Sequence, residues 1–365
     1  MAAPEHADKA QRPGIWLPLA PMSFRIRPSV PGDGQAIVAV MRKVGLDPLR
    51  EERALHWKFW WPRTDWTGPR SLVLTKDDEI LAHAGIVPGT LAWGNHQASA
   101  IDVIDWAAVP EAALGGRMLM KYIGGLADVL IAAGGSEDTL QMLPVLGFRR
   151  CGTTYRYVRT LHPLRYFTSH VQWNWKFLPK IARGALSVLA SPAIECGAWT
   201  SRPLTAEQIQ TVENVLPKSR DNAAIFKRSV AAFSYFLNCP ITTLTLHSVE
   251  RLGEVRGYFL LACVLGQARI VDSWMDGADP AGWMALVQCA AQVAYDTPGV
   301  AELVTTEGDP AVSQCLRAAG FRQRASVAIH LLARKGVEAP PTCPRVQMLD
   351  SDAAYHHPGF AEFWT

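Results

Sequence analysis

Strand-like and helical hydrophobic patterns alternate along the first half of the chain. FRIRPSVPGDGQAIVAVMRKVG predicts a strand, a turn and an amphipathic helix, and SLVLTKDDEILAHAGIVPG predicts two strands around a polar Lys-Asp-Asp turn. The pattern then predicts a strand at 100–109, a helix from about 116 to 126, a strand at ADVLIAAGG, a helix at SEDTLQMLPVLGF and a strand at CGTTYRYVRTL. This order predicts an α/β fold in which helices pack on a mixed sheet.

The second half repeats this order of elements. GYFLLACVLGQARIVDSWM predicts two strands, and it is followed by a helix, a strand, the helix AVSQCLRAAGF and the strand ASVAIHLLAR. Gly147-Phe148 aligns with Gly320-Phe321, and Asp105 aligns with Asp272. We therefore predict two copies of one domain. They cover 23–160 and 201–335, with a disordered tail at 1–22, an aromatic and basic connector at 161–200 and a C-terminal tail at 336–365.

Composition limits the class of protein. The 365 residues are 49% hydrophobic and include thirteen tryptophans, which suffices for two cores. A net charge of +3 with scattered Lys and Arg does not imply a nucleic-acid partner, and no DNA partner is predicted. Seven dispersed cysteines without a C-x-x-C pair predict reduced thiols, and His356-His357 lacks a third ligand, so no metal is predicted. Without a run of about 20 apolar residues, a soluble cytoplasmic protein is expected.

Three segments, together with the order of elements, resemble the GCN5-related N-acetyltransferase superfamily. They are VPEAALGG, GGSEDTLQMLPVLGFRRCG and EGDPAVSQCLRAAGFRQR. In that family a strand ending in V-x-P precedes a loop of the form [QR]-x-x-G-x-[GA], a helix, a strand and a helix ending in GF. The resemblance covers nearly all of residues 24–334. It implies two tandem acyl-CoA N-acyltransferase domains, with acetyl-CoA or another acyl-CoA as co-substrate.

The resemblance implies a coenzyme site in the first copy, between the strand predicted at 100–109 and the helix that follows it. Backbone N–H groups at a helix N-terminus, with glycine allowing close approach, bind pyrophosphate. Arg117 stands where the family has Gly or Ala, so it either pairs with a phosphate or obstructs the pantetheine path. The alternative is a strand-to-helix turn without a ligand. The candidate coenzyme-binding residues are Ala108, Val109, Leu114, Gly115, Gly116 and Arg117.

The corresponding loop of the second copy is acidic. Asp276 and Asp279 would repel a pyrophosphate, and Pro280 removes one N–H donor. The N-terminal copy is therefore the predicted coenzyme site, and the C-terminal copy is predicted to be structural or substrate-binding.

Acyl transfer to an amine needs a base for the amine proton and a donor for the leaving thiolate. Family members often place an acid on the strand before the phosphate loop, and Asp105 is the candidate because Asp272 recurs in the second copy. Asp102 lies an odd number of positions away and is expected to face the other side. His83 is the second candidate base, or a core histidine. Leu143 replaces the family tyrosine, so the donor is Tyr122, Tyr155, Tyr157 or water.

Aromatic residues mark two further candidate surfaces. Trp57, Trp60 and Trp61 either bind the substrate, by stacking on a sugar or holding an acyl chain, or form a packed apolar cap. The connector predicts a helix at about 177–189 that packs between the halves. Alternatively, segment 170–190 makes a peripheral membrane contact, since Lys180 and Arg183 flank an apolar face.

The leading functional interpretation is an acyltransferase that moves an acyl group, acetyl first among the candidates, from acyl-CoA by direct attack. The acceptor is the amine or hydroxyl of a small molecule or of a cell-surface or polysaccharide precursor, including glycan precursors. One alternative is a tandem transferase that uses aminoacyl-tRNA, although no Lys/Arg run requires it. The other is a catalytically degenerate scaffold at the membrane surface. No oligomeric state is predicted.

Overall fold

The computed structural model describes residues 24–167, 177–219, 223–277, 279–357, 359 and 362–365. The tail predicted at 1–22 and the connector tryptophans Trp173 and Trp175 lie outside these residues. Within them, thirteen strands form one mixed sheet that carries helices on its faces. The predicted α/β class is confirmed.

The first half follows the predicted order. Asp77 and Asp78 form the turn between two strands and adopt left-handed backbone angles (φ 48° and 67°). Its elements are β1 Phe24–Pro28, α1 Gly34–Lys43, α2 Glu52–Leu55, β2 Ser71–Lys76, β3 Glu79–Trp93, β4 His96–Ala108, α3 Ala113–Ile123, β5 Val129–Ala133, α4 Glu137–Val145 and β6 Arg149–Thr160. Helix α3 begins three residues before the predicted start.

The second half repeats this plan after the connector helix. Its elements are α5 Phe177–Leu189, β7 Trp199–Leu204, β8 Ile225–Phe226, α6 Val230–Leu237, β9 Thr243–Arg251, β10 Glu254–Val264, β11 Gln267–Met275, α7 Pro280–Asp296, β12 Glu302–Glu307, α8 Pro310–Ala318 and β13 Arg322–Ala333. The aligned Gly147 and Gly320 both end a helix in left-handed conformation (φ 91° and 84°). In each copy the next N–H, of Phe148 or Phe321, donates to the carbonyl five residues earlier at 3.0 Å.

The two halves exchange their last strands. The sheet order is β1-β2-β3-β4-β5-β13-β6-β12-β11-β10-β9-β7, with β8 paired to β3. Thus β13 of the second half pairs with β5 of the first, and β6 of the first half pairs with β12 of the second, both antiparallel. The predicted end of the first copy, residue 160, is the last residue of β6. Because β6 pairs with strands of the second half, neither half completes its part of the sheet alone.

Helices cover the first half of the sheet on opposite faces. Leu119 of α3 and Leu143 of α4 pack with Leu74 on one face. Ile37 of α1 packs with Val73, the preceding residue of β2, on the other face. Leu143, at the position of the family tyrosine, is fully buried in this core.

Helix α5 has the predicted bounds and contacts both halves. Ile181 packs against a cluster that contains Ala301 of the second half, and a Cβ on Gly184 would lie 3.4 Å from the side chain of Thr160 in β6 of the first half. Three of its leucines remain exposed, and they are Leu178, Leu186 and Leu189. The contact with both halves agrees with the inter-domain interpretation of the connector, and the membrane contact stays a prediction.

Candidate active site

The two central strands of the first copy diverge beside the candidate site. β4 and β5 pair in parallel from Ala100 with Val129 to Asp102 with Ile131. Beyond this point β4 bulges, since its register against β3 shifts and Asp105 takes a left-handed angle of φ 50°. Backbone groups of β4 past Asp102 are no longer paired by β5, so an opening forms between the strands.

Helix α3 starts at the end of this opening. Its N-cap, Ala112, provides no side-chain hydrogen bond to the first turn. A Cβ on Gly115 would lie 3.1 Å from the Leu74 side chain, and one on Gly116 would lie 3.1 Å from Cβ of Ala108. Both glycines therefore face the sheet and let the helix approach it closely. They belong to the first turns of a helix rather than to a loop.

A basic and apolar groove of about 780 Å³ runs along the outer face of α3. It lies between α3, the end of α4, β5 and β13. Its apolar residues include Leu114, Met118, Val145 and Leu332, and its basic residues are Arg117, Lys121, Arg334 and Lys335. Arg334 pairs with Asp128 at 2.5 Å, and no lining residue in the described chain is acidic. This surface suits an anionic ligand with an apolar part.

The structure separates the six predicted coenzyme-binding residues. Leu114 and Arg117 line the groove, whereas Gly115 and Gly116 face the sheet. The N–H of Val109 donates to the Leu81 carbonyl at 2.9 Å, and its own carbonyl accepts from Ala112 at 2.8 Å. The backbone of Val109 is thus occupied within the fold, and Ala108 supplies the surface on which Gly116 rests.

Asp105 lies in a buried ion pair. Its carboxylate is 2.5 Å from Nζ of Lys58, which also contacts Asp352 of the C-terminal tail at 2.9 Å. Burial raises the pKa of Asp105, and the charge of Lys58 offsets this only in part. Burial alone would lower the pKa of Lys58, but Asp105 and Asp352 raise it above its ordinary value. Lys58 therefore carries its charge in the folded protein.

His83 supports the bulge of β4 from the adjacent strand. Its Nδ1 lies 3.2 Å from the Asp105 carbonyl oxygen, and its Nε2 lies 2.9 Å from Oγ of Ser71. The ring is fully buried, and burial lowers its pKa to about 3. His83 is therefore neutral near pH 7 and has both nitrogens engaged.

Asp102 is a second buried carboxyl at the point where the strands part. Burial raises its pKa well above the ordinary value, and the charges of Asp352 and Asp350 add to the effect. Its Oδ1 has no hydrogen-bond partner in the described part of the chain. Asp105 is influenced by Asp352 as well, so both carboxyls lie near the tail. The bulge at Asp105 and Trp106 interrupts the strict alternation on which the sequence argument relied.

The second copy contains an equivalent ion pair. The Arg228 guanidinium binds Asp272 at 2.7 and 3.0 Å and Asp350 of the tail at 2.8 Å. Tyr258 also donates to Asp272, at 2.9 Å. In each copy, a cation thus joins the aligned aspartate to one tail aspartate. The roles of Lys58, Arg228 and the tail were not predicted from the sequence. The available signal was two aspartates, Asp350 and Asp352, in a segment without periodicity.

The C-terminal tail fills the opening of the second copy. β11 and β12 pair in parallel only as far as Ile270 with Thr305. Beyond this point Arg345 donates to the Ser273 carbonyl at 2.9 Å and pairs with Glu307 at 2.6 Å. Gln347 accepts from the Ser273 N–H at 2.9 Å and donates to Asp272 at 2.8 Å. The tail therefore takes the backbone and side-chain partners that a ligand would need there.

The three candidate tryptophans do not form one pocket. Trp57 is buried and stacks on Tyr235 with ring centroids 4.7 Å apart. Trp60 donates from Nε1 to Oγ of Ser29 at 3.0 Å. Trp61 is 48% exposed and lines a groove of about 540 Å³ with the edge of Trp57. Trp57 and Trp60 thus contribute to the fold, and Trp61 is the ring that a substrate can reach.

The described residues offer neither a metal site nor a membrane-spanning helix. They contain no group of three or more His, Cys, Asp or Glu side chains placed to hold a metal ion. None of their helices combines the length and the apolar character needed to cross a bilayer.

Comparison with known proteins identifies the fold. No protein-family model matches the sequence, and no curated protein matches it. Among solved structures, Saccharomyces cerevisiae N-myristoyltransferase with bound myristoyl-CoA and inhibitors is 13% identical, with 86% of this chain and 81% of that chain covered and a TM-score of 0.56. A GCN5-related N-acetyltransferase from Anabaena variabilis is 11% identical, with 85% and 72% covered and a TM-score of 0.52. One from Kribbella flavida is 11% identical, with 85% and 71% covered and a TM-score of 0.51. The chain therefore has the GCN5-related N-acetyltransferase fold, which confirms the fold that the resemblance implied.

Proposed function

We propose that the protein is an acyltransferase that binds acyl-CoA in its N-terminal copy and passes the acyl group directly to an amine or hydroxyl acceptor. The observation that carries this proposal is the groove along α3, which combines four cations with an apolar floor. Coenzyme A carries several phosphate charges and an extended apolar arm, which matches this combination. The solved N-myristoyltransferase that holds myristoyl-CoA gives the proposal further support.

Arg117 and Lys121 are the proposed phosphate ligands of α3. Both line the groove, one helical turn apart on the same face. Of the two roles open to Arg117, its position favours phosphate pairing over obstruction. In the second copy, Arg345 and Gln347 occupy the equivalent opening, which favours a structural role for that copy.

Asp105 is the proposed base for the acceptor proton. Burial raises its pKa, which strengthens the carboxylate as a base, and the charge of Lys58 opposes this shift. The acceptor nitrogen or oxygen attacks the thioester carbonyl, its proton passes to Asp105, and the thiolate leaves on coenzyme A. His83 is a positioning residue in this proposal, since its Nδ1 contacts the Asp105 backbone.

Water is the proposed donor to the leaving thiolate. Leu143 is buried in the core, and Tyr122 lies at the far end of α3 from the opening. Tyr155 and Tyr157 are on β6, which is separated from β4 by β5 and β13. For the acceptor, the exposed ring of Trp61 offers a stacking surface suited to a small molecule or glycan precursor.

Calorimetric titration of acetyl-CoA and of a long-chain acyl-CoA tests the proposal. We expect micromolar binding that weakens at least about tenfold in Arg117→Glu, because a phosphate contact becomes a repulsion. Arg42→Glu on α1, which packs on the opposite face of the sheet, is the matched control and should bind like the wild type. Failure of the wild type to bind any acyl-CoA would exclude the function.

A further inference from the structure

Two cysteines that are distant in sequence meet at the sheet surface. Sγ of Cys151, on β6, lies 3.2 Å from Sγ of Cys343, in the C-terminal tail. Both are free thiols, and Cys151 is exposed to solvent. A disulfide requires the sulfurs to approach to about 2 Å, a shift that side-chain rotation can supply when the thiols are already in contact.

Gly152 makes room for this contact. A Cβ at that position would lie 2.6 Å from Sγ and 2.7 Å from Cβ of Cys343, closer than atoms can approach. Any larger residue would push Cys343 away from Cys151. The contact between the thiols therefore depends on a specific glycine in β6.

The cysteine pair lies at the start of the tail segment that joins the two copies. Two residues after Cys343, Arg345 enters the opening between β11 and β12. Asp350 and Asp352 follow and bind Arg228 and Lys58. A covalent bond at Cys343 would anchor all of these contacts to β6.

We propose that Cys151 and Cys343 form a redox pair, and that a low-molecular-weight disulfide oxidises them to a disulfide that ties the tail to β6. The Cys151 thiolate attacks the small disulfide, forms a mixed disulfide and releases one thiolate. Cys343 then attacks the Cys151 sulfur and displaces the second thiolate. Two protein thiols and one small disulfide thus become one protein disulfide and two small thiols, and the two protons pass to the released thiolates.

The surroundings select Cys151 as the first nucleophile. It is the more exposed of the two, and the contact with Cys343 lowers its pKa. The same contact raises the pKa of Cys343, so Cys151 ionises first.

Peptide mapping under non-reducing conditions tests this inference. Native protein is incubated with oxidised glutathione, its remaining thiols are blocked, and it is digested. We expect a peptide joining Cys151 to Cys343, reversed by dithiothreitol, and a melting temperature about 5 °C above that of the reduced protein. Cys151→Ser and Cys343→Ser should lose both effects while melting like the reduced wild type. Cys263→Ser, which removes a thiol outside the pair, should keep them.

Gly152→Ala provides a second test that leaves all seven thiols in place. Because the added methyl group displaces Cys343, the yield of the cross-link should fall at least about threefold. A stable glutathione adduct on Cys151 without the cross-link would overturn the proposal. An unchanged yield in Gly152→Ala would do the same, since the contact would then not be the cause.

Discussion

The ammonium group of Lys58 lies 2.5 Å from the carboxylate of Asp105, and only 2% of the Lys58 side chain is exposed. The Asp352 carboxylate binds the same ammonium group, so one cation links the bulged strand β4 to the C-terminal tail. Arg228 does the same for Asp272 and Asp350 in the second copy. The tail is therefore held by both copies through buried charge.

Loss of the Lys58 charge should destabilise the fold strongly. Lys58→Met leaves the Asp105 and Asp352 carboxyls buried without their cation, and we expect the free energy of unfolding to fall by about 3 to 5 kcal/mol. Urea denaturation measures this. Lys43→Met removes the exposed pair with Glu111 and should cost less than about 1 kcal/mol. Equal losses in the two variants would contradict a structural role for the buried pair.

The contribution of His83 to stability should fall as the pH drops from 7.5 to 5. Its pKa is about 3 in the folded protein and near 6.5 in the unfolded chain. The unfolded state therefore binds the proton first, and the loss begins as the pH falls through 6.5. From His83 alone we expect the free energy of unfolding to be about 2 kcal/mol lower at pH 5 than at pH 7.5.

Urea denaturation of the wild type and His83→Gln at both pH values isolates this effect. The variant should lose about 2 kcal/mol less than the wild type between the two pH values, whatever its stability at pH 7.5. A pH dependence that is the same in both proteins would show that His83 is not buried in neutral form.

One acyl-CoA should bind per chain. Arg345 and Gln347 already occupy the opening of the second copy, so calorimetry should give a stoichiometry near one. Asp279→Arg adds a cation at the start of α7 and should leave both stoichiometry and affinity unchanged. Two equivalent sites would contradict the occupied state of the second copy.

The approach of α3 to the sheet should tolerate no side chain at Gly116. Gly116→Val places atoms against Ala108 and Trp106, and we expect a loss of about 1 to 3 kcal/mol together with weaker binding of acyl-CoA. Chemical denaturation and calorimetry measure the two effects. Gly32→Val is the control, because no atom lies within 4 Å of the added Cβ. Similar losses at both positions would indicate a general cost of replacing glycine.

Local patterns were enough to predict the repeat and most of the elements, although α2, β7, β8, α6 and β9 were not predicted. Helix α5 has the predicted bounds, and the turn at Asp77 and Asp78 joins the two predicted strands. Hydrophobic periodicity and turn chemistry act over a few residues, so they can be recognised without knowing the contacts. The prediction failed in detail where the backbone departs from regular geometry, as at the bulge of Asp105.

By itself, the sequence determined most of the strands and helices, the two copies and their GF helix ends, because each depends on neighbouring residues. Only the tertiary structure decided which strands the copies exchange, and that the tail fills the second opening. It also decided that Lys58 meets Asp352, 294 positions away. Such contacts are selected by the burial of charge and by the completion of a shared sheet, and no local pattern in the chain specifies them.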